Sequence, residues 1–442
     1  MSYSLPFSQF TAGISDVFPK PFYKPLVETG LSAKRQLTVH PSHIAYKQEL
    51  SQRVLEYRIP SLQAQFLDLT EIVLHLNLNF TKQDGATKLA PNDNLYLTNN
   101  FLHSLFKGVS IYMNGVQVEN SAYFNYLSYI KALEKLSKEN VDYLGRTLYI
   151  RNESNTAGGV PMKFTDAFFS DKLSAEHAIE LNHIKASGIS LTAPLLFDIA
   201  SVSSLMLDGV EIVIRLEFAN TEFFLNSVTQ QAKMFVNDAR LLVTTYDVQP
   251  NALKALQTPI SSQPVEYPFT RHLAKSYILN SNQTSVVLDN PFQNTIPERI
   301  KIAVIDMAAM QGSINANPLY FEHIDQSRIT ISVNSSNVYD IRSDFTSSNV
   351  TELYYATLHS LGMDGKHLID FPGFSNGKHL QVYDLTTIQS KESVHPEVTG
   401  NLRISITFKT PPTSPKVILV FAETLAVLEV DADRNISINS RG

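Results

Sequence analysis

The chain has 442 residues, 43% of them hydrophobic, and a net charge of −6. That is enough apolar material for two or three domains, and too acidic a balance for a surface devoted to nucleic acid. It holds no cysteine and no tryptophan, so thiol catalysis, thiolate metal sites and disulfide staples are excluded.

Met1-Ser2-Tyr3-Ser4-Leu5-Pro6 lacks the basic start and apolar segment of a secretion signal. Residues 1–60 cluster Pro19, Pro21 and Pro25 and show no sustained hydrophobic period, which predicts an extended arm with at most a short helix. Seven cations (Lys20, Lys24, Lys34, Arg35, Lys47, Arg53, Arg58) face four acids there, Asp16, Glu28, Glu49 and Glu56. A solvated arm explains that balance better than a polyanion-facing tail.

A first domain is expected over 61–249. Ile72, Leu74, Leu76, Leu78 and Phe80 alternate with Val73, His75, Asn77 and Asn79 before Asp84-Gly85, the pattern of a half-buried strand ending in a turn. Val109, Ile111 and Met113 alternate up to Asn114-Gly115, with Val116 and Val118 beyond, which predicts a β-hairpin closed by a two-residue turn. From Ser121 the period changes: Tyr123, Leu127, Ile130 and Leu133 share one face of a helix running to about Asn140. A loose polar stretch follows to Gly188. Strands are expected at Leu195-Leu196-Phe197-Asp198, after Asp208-Gly209 (Val210, Ile212, Ile214, Leu216, Phe218) and over 233–248. Pro250 to Gln257 reads as a short helix entering a linker, 250–268, marked by Pro259, Pro264 and Pro268.

The second half repeats that order. Phe101, His103, Val109, Ile111, Met113 and Asn114 recur without a gap as Phe321, His323, Ile329, Ile331, Val333 and Asn334, an offset of 220 positions. Ile300, Ile302 and Val304 match the first strand, Leu380 to Leu385 matches Leu195 to Ile199, Gly400 with Leu402 to Phe408 matches Gly209 with its strand, and Lys416 to Val430 matches Lys233 to Val248. A second domain over 269–436 and a tail over 437–442 follow. The first copy carries the longer insertions, mainly across 121–190, which belong in surface loops. Two all-β units can be sandwiches, barrels or jelly rolls; irregular connection lengths favour jelly rolls, eight-stranded β-sandwiches with Greek-key crossings.

No catalytic, cofactor-binding or metal-ligating residue is predicted. Gly373-Phe374-Ser375-Asn376-Gly377 fits G-x-S-x-G, but a nucleophile elbow needs a strand before it and a helix after it, whereas Pro372 precedes and a strand follows; a turn is expected. His359, Asp364, His367, Asp370 and His379 match no ligand spacing. His103 and His323 read as structural histidines at equivalent corners. Glu134, Lys135, Lys138 and Glu139 read as a solvated charged face. Asp166, Asp171, Glu176 and Glu180 could supply the carboxylate pair of a glycosidase, with no separation to test. Phosphate-cradling glycine loops are missing, and the Asn-x-Ser/Thr triplets at Asn79, Asn282 and Asn435 carry no weight without a secretion signal. The most apolar run, Val417 to Val430, carries Glu423 and Glu429 and is shorter than the roughly 20 residues that span a bilayer.

Gln65-Phe66-Leu67-Asp68-Leu69, Leu102 to Phe106 running into Val109 to Gly115, Leu207-Asp208-Gly209-Val210, Asn317-Pro318 to His323, Tyr383-Asp384-Leu385, Gly400-Asn401-Leu402-Arg403 and the close through Val430-Asp431 and Arg434-Asn435-Ile436 together give the chain its resemblance. It resembles the double jelly-roll major capsid proteins of Polinton/Maverick elements and adintovirus-like viruses. One departure is Asn334-Ser335-Ser336 in place of an Asp-Gly-type turn, which leaves that loop's length open. The resemblance implies a homotrimer whose six jelly rolls form a pseudo-hexagonal capsomer of an icosahedral virion shell around double-stranded DNA, with minor capsid and penton proteins as partners, weak genome contact by the arm at the inner base, the 121–190 insertion among outward loops, and no cofactor. The alternatives are a carbohydrate-binding or carbohydrate-cleaving jelly roll, weighed against by the missing tryptophan, and a serine hydrolase built on Ser375.

Overall fold

The computed structural model describes residues 30–42, 54–91, 93, 95–150, 175–202, 204–226, 232–314, 316–347, 349–362, 367–386 and 398–439. Eight long strands build a first unit: β1 (Leu31–Val39), β2 (Val54–Ile59), β3 (Gln65–Lys82), β4 (Phe106–Met113), β5 (Val116–Ser121), β6 (Ile189–Pro194), β7 (Ile212–Phe218) and β8 (Ala232–Val248). Eight more build a second: β9 (Val265–Leu279), β10 (Ser285–Asp289), β11 (Arg299–Asp306), β12 (Gln326–Val333), β13 (Ser336–Arg342), β14 (Gln381–Asp384), β15 (Leu402–Phe408) and β16 (Lys416–Val430). A short β17 (Ile436–Asn439) pairs with the end of β16.

The first unit packs an antiparallel sheet of order β1-β8-β3-β6 against one of order β2-β7-β4-β5. The second packs β9-β16-β11-β14 against β10-β15-β12-β13. Adding eight to every strand number of the first unit gives the second, so one jelly-roll topology is written twice.

The alternation that predicts β3 also places it: Ile72, Leu74, Leu76, Leu78 and Phe80 are buried between the sheets, while Val73, His75 and Asn77 look outward. Both hairpins close through two-residue turns with positive φ at each position, Asn114 (45°) and Gly115 (83°) in one, Asn334 (49°) and Ser335 (68°) in the other. The second loop therefore has the same length as the first, despite lacking glycine.

Several boundaries differ from the sequence expectation. The first unit begins by Leu31, not after residue 60. Strand β1 lies at a sheet edge with most side chains exposed, so it carries no two-residue hydrophobic period to read. Residues 1–29, with Pro19, Pro21 and Pro25, lie outside the described residues. In place of a linker over 250–268, a helix spans Pro250–Ser262 with Pro259 inside it, and Pro268 belongs to β9. Edge position explains that proline, since β9 pairs only with β16 and needs no donor on its free side. Leu195 to Asp198 is not a strand; the strand is β6, just before it. Among the described residues, the stretch 121–188 holds the helices Phe124–Lys135, Lys138–Leu148 and Ala175–Ser187. Part of the expected tail is β17.

The two β1-type sheets differ in one respect. In β3 and β8 buried and half-buried residues mostly alternate, the pattern of a sheet with one free face. In the second unit six consecutive residues of β11 (Ile300–Ile305) and eight of β16 (Lys416–Glu423) are buried, so that sheet is covered on both sides. What covers it is the first unit.

Candidate functional site

An extensive cluster of buried charge lies where the units meet. The helix Phe124–Lys135 is buried on every side from Phe124 to Leu133. It is a wedge between the units and not an outward loop. Its Tyr129 ring meets Phe321 edge-on at 5.7 Å, and the Leu133 carbonyl accepts from Leu368 N at 2.7 Å. Glu134 is not solvated: its side chain is 9% exposed and binds Lys301 Nζ, itself 1% exposed, at 2.6 Å. No local pattern could reveal that pairing, because its partner is 167 residues away.

From Lys301 the charges continue across the sheet. Lys301 Nζ lies 2.7 Å from Glu423 Oε1, and Arg299 Nε lies 2.8 Å from Glu423 Oε2. His272 of β9 bridges the units: Nε2 meets Glu423 at 3.1 Å and Nδ1 meets Asp198 Oδ1 at 2.8 Å, while His272 N donates to Asp198 Oδ2 at 2.7 Å. Lys131 Nζ, on the wedge helix, donates to the same Asp198 and to the Leu196 carbonyl, each at 2.8 Å. Glu119, at the end of β5, accepts the backbone N–H groups of Asp198 and Ile199. A crevice of about 260 Å³, lined by Asn120, Leu127, Lys275 and Phe421, reaches His272.

Burial opposes charge on His272, but Asp198 and then Glu423 outweigh it and raise its pKa above the ordinary imidazole value. Asp198 is held well below the usual carboxylate range, burial being overcome by His272 and Lys131. Glu423 is likewise depressed, chiefly by Lys301 against the cost of burial. Glu119 goes the other way, pushed up to about 7 by burial and the neighbouring Asp198.

A second clasp lies at the hairpin end. Arg434, just past β16, donates to the Asp208 carboxylate at 2.6 Å and to the Asp208 carbonyl at 2.7 Å, and its own carbonyl accepts from Asn114 Nδ2 at 2.8 Å. Tyr267 of β9 donates to Leu205 O and accepts from Leu207 N, both at 3.2 Å.

The residues weighed for chemistry are spread over the fold. Ser375 ends a five-residue helix, Phe371–Ser375, in place of the expected turn, with Asp370 as its N-cap. The nearby His379 is committed elsewhere: Nδ1 to Phe374 O at 3.0 Å and Nε2 to Gln381 Nε2 at 2.8 Å, with burial and then His323 lowering its pKa to about 3. His103 binds Pro194 O and Asn100 Oδ1, and burial lowers its pKa to about 4. His323 stacks on Phe345 with centroids 4.0 Å apart. His359 sits on the helix Thr351–Leu361 beside Tyr355. Among the described residues no group of three or more His, Asp or Glu is placed to hold a metal, and no helix is long and apolar enough to cross a membrane. Asp166, Asp171 and Asp364 lie outside the described residues, while Glu176 and Glu180 fall on the helix Ala175–Ser187. Three cations of the basic segment are internally paired: Lys34 with Glu71, Arg35 with Asp247 and Arg58 with Glu211. Lys20, Lys24, Lys47 and Arg53 lie outside the described residues.

No protein-family model matches the sequence, and a search of curated proteins finds no significant match. Solved structures do match. The mavirus major capsid protein superposes over 100% of this chain and 95% of its own at a TM-score of 0.58 and 10% identity. The Faustovirus major capsid protein covers 96% and 94% at 0.59 and 9%, and the Sputnik virophage structure 100% and 93% at 0.59 and 11%. The fold is that of the double jelly-roll capsid proteins. At such identities the likeness is one of fold.

Proposed function

We propose that the protein is the major capsid protein of a double-stranded DNA virus or element of the Polinton/Maverick, adintovirus-like group, and that it works by shape without catalysis or cofactor. The observation that carries this reading is the pair of like-ordered jelly rolls fixed side by side by a buried junction, in a fold shared end to end with capsid proteins. Two similar units per chain turn threefold symmetry into approximate sixfold symmetry, so a homotrimer fills a hexagonal lattice position. That works only if the angle between the units is fixed. Buried ion pairs add little net stability after desolvation, but they penalise any arrangement that leaves a charge unpaired. The junction from Glu119 to Lys301 therefore holds one relative orientation.

Stable trimers of this kind bury more than about 2,000 Å² of largely apolar surface, whereas contacts between trimers in the icosahedral shell are weaker and repeated. Minor capsid and penton proteins complete the lattice, and the virion is the site of action. Genome contact falls to Lys20, Lys24, Lys47 and Arg53, since the other cations of that segment are neutralised in the first unit.

Light scattering on the purified full chain tests the proposal. The expected mass is three times 49.5 kDa, with six-sided outlines in negative-stain images. A monomer at all concentrations, with no hexagonal particles, contradicts it.

A further inference from the structure

One buried ion pair of the junction is arranged like the reactants of a condensation. Lys131 Nζ and Asp198 Oδ1 lie 2.8 Å apart, with side chains 9% and 2% exposed. The lysine belongs to the wedge helix, and the aspartate directly precedes the turn Ile199–Ser201 that follows β6. Leu127, one helical turn before Lys131, and Phe197, next to Asp198, are both buried, and the Phe197 ring packs on Phe124 with centroids 6.2 Å apart. The two oxygens of Asp198 have different further donors. Oδ2 accepts the backbone N–H of His272 at 2.7 Å, while Oδ1 meets His272 Nδ1 at 2.8 Å. Since Nε2 of the same ring meets the Glu423 carboxylate at 3.1 Å, both ring nitrogens face acceptors, the arrangement of an imidazolium that donates from each. A third carboxyl stands beside the pair: Glu119 accepts the backbone N–H groups of Asp198 and Ile199. Burial and Asp198 push its pKa up to about 7 while Lys131 pulls it down, so this carboxyl feels both partners and can take and return a proton near neutral pH. Lys301, the other buried lysine of the junction, lacks these parts. It meets Glu134 at 2.6 Å and Glu423 at 2.7 Å, but among the described residues neither carboxylate accepts a backbone N–H.

We propose that Lys131 and Asp198 join spontaneously as an intramolecular amide, Nζ to Cγ, which ties the wedge helix covalently to the segment after β6. The inference stands independently of the capsid reading. Nζ attacks Cγ and the N–Cγ bond forms, while negative charge gathers on Oδ2, where the His272 backbone N–H holds it. The Cγ–Oδ1 bond then breaks. Of the three ammonium protons, one stays on the amide nitrogen and two leave with Oδ1 as water, so the ion pair becomes a neutral amide with no oxidant, reductant or cofactor. Glu119 and His272 relay those two protons and end the step in the states in which they began. Contact between the two groups supplies an effective concentration of roughly 10⁵ M or more, and burial disfavours the charged reactants relative to the neutral product. The bond closes a loop across the 67 positions between the two residues, which restricts the unfolded chain. Glu423 stays against Nε2 in the linked chain, so His272 keeps a carboxylate partner.

Intact-mass spectrometry of the folded full chain, denatured only for the measurement, tests this. The expected mass is one water below that of the sequence. Trypsin is then expected to spare Lys131 and to release residues 108–135 joined to residues 186–215. Lys131→Arg and Asp198→Ala are expected to keep the full mass of their own sequences. Glu119→Gln, which retains an oxygen acceptor for the two backbone N–H groups, is expected to lose its water at least about tenfold more slowly on refolding. Should these variants fail to fold, the wild type decides alone: a chain purified in denaturant throughout is expected at full mass and loses one water once refolded. A folded wild type that keeps the full mass and is cut after Lys131 overturns the inference. So does a mass one water short with the two peptides separate, because the dehydration then lies elsewhere.

Discussion

Asn114 and Asn334 are the same residue used twice, and their side chains do more than permit a left-handed turn. Asn114 Oδ1 accepts from Glu211 N at 2.8 Å and Asn334 Oδ1 from Asn401 N at 2.9 Å, while each backbone N–H donates to the carbonyl of that same partner. The hairpin tip is thus sewn to the start of the neighbouring strand, β7 or β15. Gly400 leaves room for this, because a Cβ there would collide with the Asn334 amide and touch Ile296. Gly400→Ala is expected to destabilise the protein by about 1–3 kcal/mol, the cost of overpacking at a site that cannot relax freely. Denaturant unfolding would show the loss, and an unchanged midpoint would mean that the Asn334 clasp contributes nothing.

At the scale of elements, the helix Thr351–Leu361 shows how a pattern becomes unreadable. Its buried positions are Leu353, Thr357 and Ser360, the right spacing for one helical face, but two of the three are hydroxyl residues. Those hydroxyls hold the helix to β14: Thr357 Oγ1 accepts from Val382 N at 3.4 Å and Ser360 Oγ accepts from Asp384 N at 3.1 Å. A hydrophobic period misses a stripe written in polar atoms. Ser360→Ala should cost about 1 kcal/mol, since it leaves the Asp384 amide without that acceptor, and a stability equal to wild type would remove Ser360 from this role. The opposite error occurred at Leu195 to Asp198, where apolar residues cover the wedge helix in irregular backbone without forming a strand. By contrast β3, β4, β7, β8, β12 and β15 were legible, because each buries one face locally and repeats every two residues, and β16 was legible as a long apolar run.

For the whole molecule, the junction contributes its own response to pH. The folded-state pKa of His272 is raised above 6.5, so its contribution is fully present below that value and is lost as pH rises through the folded pKa. Glu119, raised from 4.5 to about 7, acts in the same direction, its ionisation being disfavoured in the folded protein. The groups that face them are Asp198, Glu423, Lys131, Lys301 and Arg299. Asp198 and Glu423 are depressed, so their share is present above their ordinary values and is lost only in stronger acid. Buried His103 and His379, whose pKa values are lowered to about 4 and about 3, act in the opposite sense below about pH 6.5, so the share of the bridge is read as a difference between proteins. The change in Tm from about pH 8.5 to about pH 5.5 is expected to be less favourable in His272→Gln than in the wild type, and identical changes in the two would show that the bridge does not report on stability.

The sequence by itself determined the duplicated all-β architecture, both hairpins and the absence of thiol chemistry, because alternation, turn residues and composition are local quantities. Tertiary structure alone decided that β1 belongs to the first unit, that Glu134 is a buried ion-pair partner and not a solvated charge, and that Asp198, His272 and Glu423 meet. The edge strand β1 hides because it buries almost nothing, whereas β2 alternates Leu55, Tyr57 and Ile59 on a buried face over a stretch too short to stand out; a charge keeps no record in its neighbours of a partner that only folding brings within 3 Å.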